Sequence, residues 1–169
     1  MTVTASVTVT PAVPADALLL SNLLELYIHE LSAVFPEVTL GADGRFGYPK
    51  LELYFKEPES RFPFLIRSDG GLAGFALVTR GSPIDPHVFD VAEFFVIRAL
   101  RGRGVGREAA FQVWKRMPGP WTVRVAQGNT EGLAFWQRTL DAFAPGRVAK
   151  RTLAGKPRAW QIFAFESGV

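Results

Sequence analysis

The chain has 169 residues and a mass of 18.6 kDa, and its 48% hydrophobic and 21% charged residues suit one compact domain and exclude a disordered or fibrous chain. There is no cysteine, which excludes disulfides, thiolate zinc sites and cysteine nucleophiles; His29 and His87 lie far apart, which speaks against a His-rich metal centre, and no metal is expected. The formal charge of +3 hides an asymmetry, because residues 1–90 carry 6 Lys+Arg against 11 Asp+Glu whereas residues 91–169 carry 13 against 5.

Met1 to Val13 has neither a basic leader nor an uninterrupted apolar stretch, so it does not read as a secretory signal. Thr2 to Thr10 alternates polar and apolar residues, the period of a strand with one buried face. Pro11, Pro14 and Asp16 end it, and Leu20, Leu23, Leu24, Tyr27, Ile28 and Leu31 then recur at helical spacing. Ser21, Asn22, Glu25, His29 and Glu30 make this run too polar to cross a bilayer. Pro36 to Gly47 reads as a loop and Pro49 to Phe55 as a short second helix. Arg61 to Ser68 and Leu72 to Arg80 read as strands around Asp69-Gly70-Gly71, a sequence suited to the positive φ angles of a tight hairpin.

Gly81 to Asp90 holds two prolines and reads as a loop, followed by a strand over Val91 to Ile97. Val105, Ala109, Val113 and Met117 share one helical stripe, which Pro118 and Pro120 stop. Trp121 to Ala126 is a further strand, Asn129 to Phe143 a helix capped by Asn129 or Thr130, and Arg147 to Leu153 and Ala159 to Phe165 two closing strands. With no repeat, linker or low-complexity tract, residues 1–169 read as a single soluble, cytoplasmic domain with a mixed α/β sheet.

The stretch that carries chemistry runs from Val91 to Arg107. An apolar strand enters a loop holding Gly102, Gly104 and Gly106, and the loop opens a helix. Glycine allows close backbone approach, and the unpaired first-turn amides of a helix form an anion site. Arg101, Arg103 and Arg107 add charged donors. A nucleotide P-loop would end in Gly-Lys-Ser/Thr, which is absent, and a dinucleotide fingerprint would need glycine where Arg107 stands.

Arg101-x-x-Gly104-x-Gly106, directly after Phe94-Phe95-Val96, resembles the coenzyme A signature of the GNAT superfamily of N-acetyltransferases. Asn129, followed by Ala134-Phe135-Trp136, resembles that superfamily's second motif. The resemblance implies an α/β (α+β) fold with a mixed, mostly antiparallel sheet of about seven strands flanked by about four helices. It also implies transfer of an acetyl group from acetyl-CoA to a primary amine by direct attack.

By the same resemblance, Arg101, Gly102, Arg103, Gly104, Val105, Gly106 and Arg107 would hold the coenzyme pyrophosphate. A backbone amide near Phe95 or Val96 would polarise the thioester, and Asn129, Phe135 and Trp136 would lie along the coenzyme arm. Attack needs a neutral amine, and Glu93, the sole carboxylate between Val91 and Ile97, is the candidate base; its other reading is an ion pair with a structural arginine. Asp90 and His87 are weaker candidates. The family usually has tyrosine where Trp136 stands, which leaves the proton for the departing sulfur to water, to no donor, or to Tyr27, Tyr48 or Tyr54.

Glu25, Glu30, Glu37, Asp43, Glu52, Glu57 and Glu59 would give the acceptor side an acidic surface for a cationic amine, small molecule or peptide. A homodimer is compatible with this reading, and neither a membrane nor a nucleic acid is expected as partner. Two alternatives stay open: a non-catalytic acyl-CoA-binding protein of the same fold, and a nucleic-acid-binding module using Arg98, Arg101, Arg103, Arg107, Lys115 and Arg116.

Overall fold

A computed structural model describes residues 5–168. The elements in chain order are β1 (Val7–Pro11), α1 (Ala17–Leu31), α2 (Leu53–Lys56), β2 (Arg61–Ser68), β3 (Gly71–Arg80), β4 (Phe89–Val96), α3 (Val105–Arg116), β5 (Gly119–Ala126), α4 (Thr130–Phe143), β6 (Ala149–Leu153) and β7 (Trp160–Ser167). Short 3-10 turns cover Pro14–Asp16, Pro49–Glu52 and Arg98–Leu100. This is the order read from the sequence. Thr2, Val3 and Thr4, at the start of the first expected strand, lie outside the described residues.

The strands form one seven-stranded sheet in the order β1-β2-β3-β4-β5-β7-β6, antiparallel except for the central β4–β5 pair. The β2–β3 hairpin turns through Asp69 at φ 50° and Gly70 at φ 81°, both left-handed, as a type I′ turn requires. Asn129 caps α4, accepting from the Gly132 amide at 3.0 Å.

Period-2 alternation feeds two cores, one on each face of the sheet. On one face Phe64, Ile66, Val78 and Val91 meet Val105, Ala109, Val113 and Trp114 of α3 and Trp136 and Leu140 of α4. On the other, Leu65, Phe75, Leu77 and Phe95 meet Leu20, Leu23, Leu24 and Ile28 of α1 and Tyr54 of α2.

One expectation needs correction. Phe89 and Asp90 belong to β4 rather than to the preceding loop, because they pair in parallel with Trp121 and Thr122 of β5. That pairing is long-range and leaves no local signature in a segment that holds two prolines.

Candidate active site

Strand β4 carries a bulge. Leu77 of β3 stands opposite Glu93 while the next residue, Val78, stands opposite Val91, so Ala92 is the extra residue. The bulge resets the alternation: Val91 points into the α3/α4 core, and two positions later Glu93 points to the opposite face, toward α1 and α2.

The neighbouring strand then leaves. β4 and β5 pair only at Phe89, Asp90 and Val91, opposite Trp121, Thr122 and Val123, and beyond that rung they diverge into a wedge. Ile97 donates its amide to the Ala73 carbonyl at 2.8 Å, and the Phe95 carbonyl lies against Gly74, where a built Cβ would come within 1.8 Å of it. Phe95 and Ile97 therefore turn their backbone groups to β3, and by alternation Phe94 and Val96 turn theirs to the wedge. Of the two amides expected to face a thioester, Val96 has that orientation; Phe95 does not, and its buried ring packs on Phe75 and Tyr27.

Glu93 is half-buried and held on both oxygens. Tyr27 Oη of α1 donates to Oε2 at 2.7 Å, and Tyr48 Oη donates to Oε1 at 3.0 Å. Burial pushes the Glu93 carboxyl above its ordinary value; the two hydroxyls and the Arg124 charge pull it down and Asp90 pushes it up, with the net shift upward. Burial and the Glu93 charge in turn hold the Tyr27 and Tyr48 phenols well above their ordinary value, and push Tyr54, beside Tyr48, up to about 12. All three are neutral hydroxyl donors across the working pH range.

Glu93 is held by hydroxyls, and Arg124 acts on it only through its charge. Arg124 of β5 instead grips Asp90, through Nη2 to Oδ2 at 2.8 Å and Nε to Oδ1 at 3.1 Å, and Thr122 Oγ1 donates to Oδ1 at 2.7 Å. Burial opposes the Arg124 charge, but the Asp90 carboxylate outweighs it and holds its pKa above the ordinary value. Asp90 is fully buried and satisfied, a structural residue at the apex of the wedge. His87 lies in the exposed loop before β4.

The glycine loop divides its labour. Gly102 at φ 74° and Gly104 at φ 81° supply left-handed backbone, and Gly104 is the N-cap of α3. Gly106 serves packing instead: a Cβ there would meet the Phe135 ring at 3.0 Å, and Phe135 stacks on Phe94 with centroids 5.9 Å apart. Val105 is buried under the first turn of α3.

Arg101 is engaged elsewhere. Its Nε donates to the Val96 carbonyl at 2.8 Å, its Nη2 donates to Glu30 Oε2 at 2.7 Å, and its guanidinium lies 5.6 Å from the centre of the Phe95 ring. Arg103 and Arg107 have no ion-pair or hydrogen-bond partner among the described residues; with Gly104 and Glu108 they line a cavity of about 240 Å³ at the start of α3. Trp136 is buried, edge-on to Phe94 at 5.0 Å and 6.0 Å from Trp114. Asn129 Oδ1 caps α4, and its Nδ2 has no hydrogen-bond partner among the described residues.

The acidic surface expected for the acceptor is mostly used internally. Glu25 accepts from the Phe46 and Gly47 amides, Glu30 pairs with Arg98 and Arg101, Glu37 with Arg158, Glu52 with Lys56 and Glu57 with Arg61, and Asp43 accepts from the Arg45 amide. Only Glu59 of the seven lacks such a partner among the described residues. Sequence reasoning singled out Glu93 and named the three tyrosines, but it did not bring them together; nothing local signals contacts that span 66 and 45 positions.

The profile of the Acetyltransferase (GNAT) family matches residues 22–141, which include the wedge, the glycine loop and all but the last two residues of α4. The chain belongs to this GNAT family of acetyltransferases. Several solved structures share the fold of this GNAT protein. An acetyltransferase from Thermus thermophilus is 16% identical with a TM-score of 0.64, covering 96% of this chain and 98% of its own. The structure of yncA from Salmonella typhimurium with its cofactor acetyl-CoA is 14% identical with a TM-score of 0.65, covering 95% and 93%. An N-acetyltransferase from Staphylococcus aureus is 14% identical with a TM-score of 0.64, covering 95% and 98%. A search of curated proteins gives no match.

The residues present fit acetyl-CoA. The GNAT chain offers the Val96 amide on the β4 edge that β5 leaves and, for the phosphates, left-handed glycines, first-turn amides and two arginines without partners among the described residues. Among the described residues no helix is long and apolar enough to cross a membrane, and no group of three or more His, Asp or Glu could hold a metal ion.

Proposed function

We propose that this GNAT protein acts as a single domain over residues 1–169 and transfers the acetyl group of acetyl-CoA to a primary amine by direct attack, with Glu93 as general base. The observation that carries the reading is the Glu93 carboxylate itself: half-buried, raised in pKa, held by Tyr27 and Tyr48, and set just past the bulge where β4 and β5 part. An alkylammonium has a pKa of about 10 and no lone pair to attack with, so a carboxylate that takes its proton and passes it to solvent before attack meets the requirement of the chemistry. A positioned base with a shifted pKa favours catalysis over passive acyl-CoA binding.

The coenzyme is held by the Val96 amide, by Gly102, Gly104 and the amides of Val105, Gly106 and Arg107, by the Arg103 and Arg107 guanidiniums, and by Asn129 Nδ2. Arg101 braces the end of β4 instead of contacting phosphate, and Phe135 and Trp136 shape the site by packing. The acceptor's amine is recognised by Glu93 rather than by a broad acidic surface, since most of those acids are already paired. A nucleic-acid footprint is disfavoured: Arg98 and Arg101 pair with Glu30, and Arg116 donates to the Val9 carbonyl at 3.0 Å.

The test is release of free thiol from acetyl-CoA with a panel of polyamines, aminoglycosides, amino acids and lysine peptides. Amine-dependent release by the wild type, lost in Glu93→Gln while calorimetric binding of acetyl-CoA persists, supports the reading. Turnover with alcohols alone, or full turnover by Glu93→Gln, overturns it.

A further inference from the structure

Acyl transfer leaves a thiolate that needs a proton, and the indole of Trp136, buried among Phe94, Trp114 and Phe135, has no acidic group to give. Tyr27 offers one. It reaches from α1 to donate to Glu93 Oε2 at 2.7 Å, and its oxygen lies beside the Phe94 amide, one of the backbone groups that face the wedge. The phenol thus stands between the proposed base and the open edge of β4. Tyr48 holds the other oxygen of the same carboxylate, but its hydroxyl lies against Tyr54.

We propose that Tyr27 is the proton donor to the departing sulfur and is recharged by Glu93. An acceptor that arrives as an ammonium first loses one proton to solvent through Glu93. From the neutral amine the step balances without a further reactant: the N–C bond forms as the C–S bond breaks, the amine proton passes to the Glu93 carboxylate, the Tyr27 O–H proton passes to sulfur, and the Glu93 proton returns to the Tyr27 oxygen. One proton moves from nitrogen to sulfur, and both side chains end as they began.

The electrostatics suit this order. A free phenol has a pKa of about 10 and a thiol about 8.5, so an isolated tyrosine would give its proton uphill; with a carboxylic acid behind it the overall transfer runs downhill. Burial and the charge of ionised Glu93 keep the phenol protonated, and once Glu93 has taken the amine proton the charge part of that effect is gone. The other groups facing the pair are Tyr48, Tyr54, Asp90 and Arg124, and the Arg124 charge is largely committed to Asp90.

This inference rests on Glu93 being the base, and the test separates the two. The probes are acetyl-CoA and hydroxylamine, a small nucleophile neutral near pH 7, followed by thiol release, together with ¹³C NMR of labelled tyrosine Cζ in the enzyme alone. Tyr27→Phe is expected to lower kcat by about 10²-fold with unchanged acetyl-CoA binding, and Tyr48→Phe by less than about tenfold. Glu93→Gln is expected to lower the ionisation midpoint of Tyr27 by removing the part of its upward shift that the Glu93 charge, rather than burial, causes. If Tyr27→Phe keeps wild-type kcat with hydroxylamine, the donor is overturned, while the base stands or falls separately with Glu93→Gln turnover on the amine panel, since hydroxylamine needs no deprotonation before attack. A Tyr27 midpoint that Glu93→Gln leaves unmoved, or a Tyr27→Phe loss that tracks lost acetyl-CoA binding, also overturns the proposal.

Discussion

Arg124 grips Asp90 across the last paired rungs of β4 and β5, with Thr122 closing the third side of the carboxylate. The pair is where the two strands stop running together. Removing one partner leaves the other charge buried and unmatched, so Asp90→Asn or Arg124→Met should each cost about 3–5 kcal/mol. Urea denaturation of the two variants and their double mutant checks this, and the double mutant should be less destabilised than the two losses added together.

The raised pKa of Glu93 fixes two pH dependences. With Glu93 as the proposed base, the acidic limb of kcat/KM should lie above the ordinary carboxylate value of about 4.3, because a base works only when ionised. For stability the sign is the reverse of the usual carboxylate case. Between the unfolded pKa and the raised folded one the native state binds more protons, so the Glu93 contribution is greatest below the unfolded value and is lost as pH rises through the folded value. Glu93→Gln should flatten the stability curve in that window and lower kcat by about 10²–10⁴-fold, measured by thermal melts and by the pH–rate profile.

Substitutions in the glycine loop should separate by function. Gly104→Val forces a β-branched residue to positive φ in the loop proposed to hold the coenzyme, so acetyl-CoA binding should be lost by calorimetry while the apo fold survives at a cost of about 1–2 kcal/mol. Gly106→Ala instead presses on the Phe135 ring and should lower the melting temperature while changing affinity less. Gly74→Ala is the most severe of the glycine changes, because its Cβ would meet backbone at Phe95 and would push β3 from β4.

The arginines should divide in the same way. Arg103→Gln and Arg107→Gln are expected to weaken acetyl-CoA binding by about tenfold each, with a flatter salt dependence than the wild type. Arg101→Gln should act on stability first, by about 1–2 kcal/mol, since it removes the donor to Val96 and the partner of Glu30.

Much of this was legible in the residue order. Asp69-Gly70 dictates its hairpin by backbone geometry, Asn129 its helix cap, and the leucines of α1 their buried stripe, all through local physics. The bulge at Ala92 was not legible, because a one-residue slip of register is decided by pairing with β3 and leaves the local sequence unchanged. For the same reason Phe95 and Val96 could not be told apart as amide donors. The acidic and basic halves of the sequence suggested two oppositely charged surfaces. Part of the excess turns out to be the halves pairing with each other, Glu30 with Arg98 and Arg101, Glu37 with Arg158, and Asp90 with Arg124.

Tyr27 and Glu30 lie three positions apart on α1, about 4.5 Å along its axis. One reaches the Glu93 carboxylate, and the other holds the arginine that closes the end of β4. A single helix therefore holds both the carboxylate just past the bulge and the arginine that opens the glycine loop, so one rigid element fixes the spacing between them.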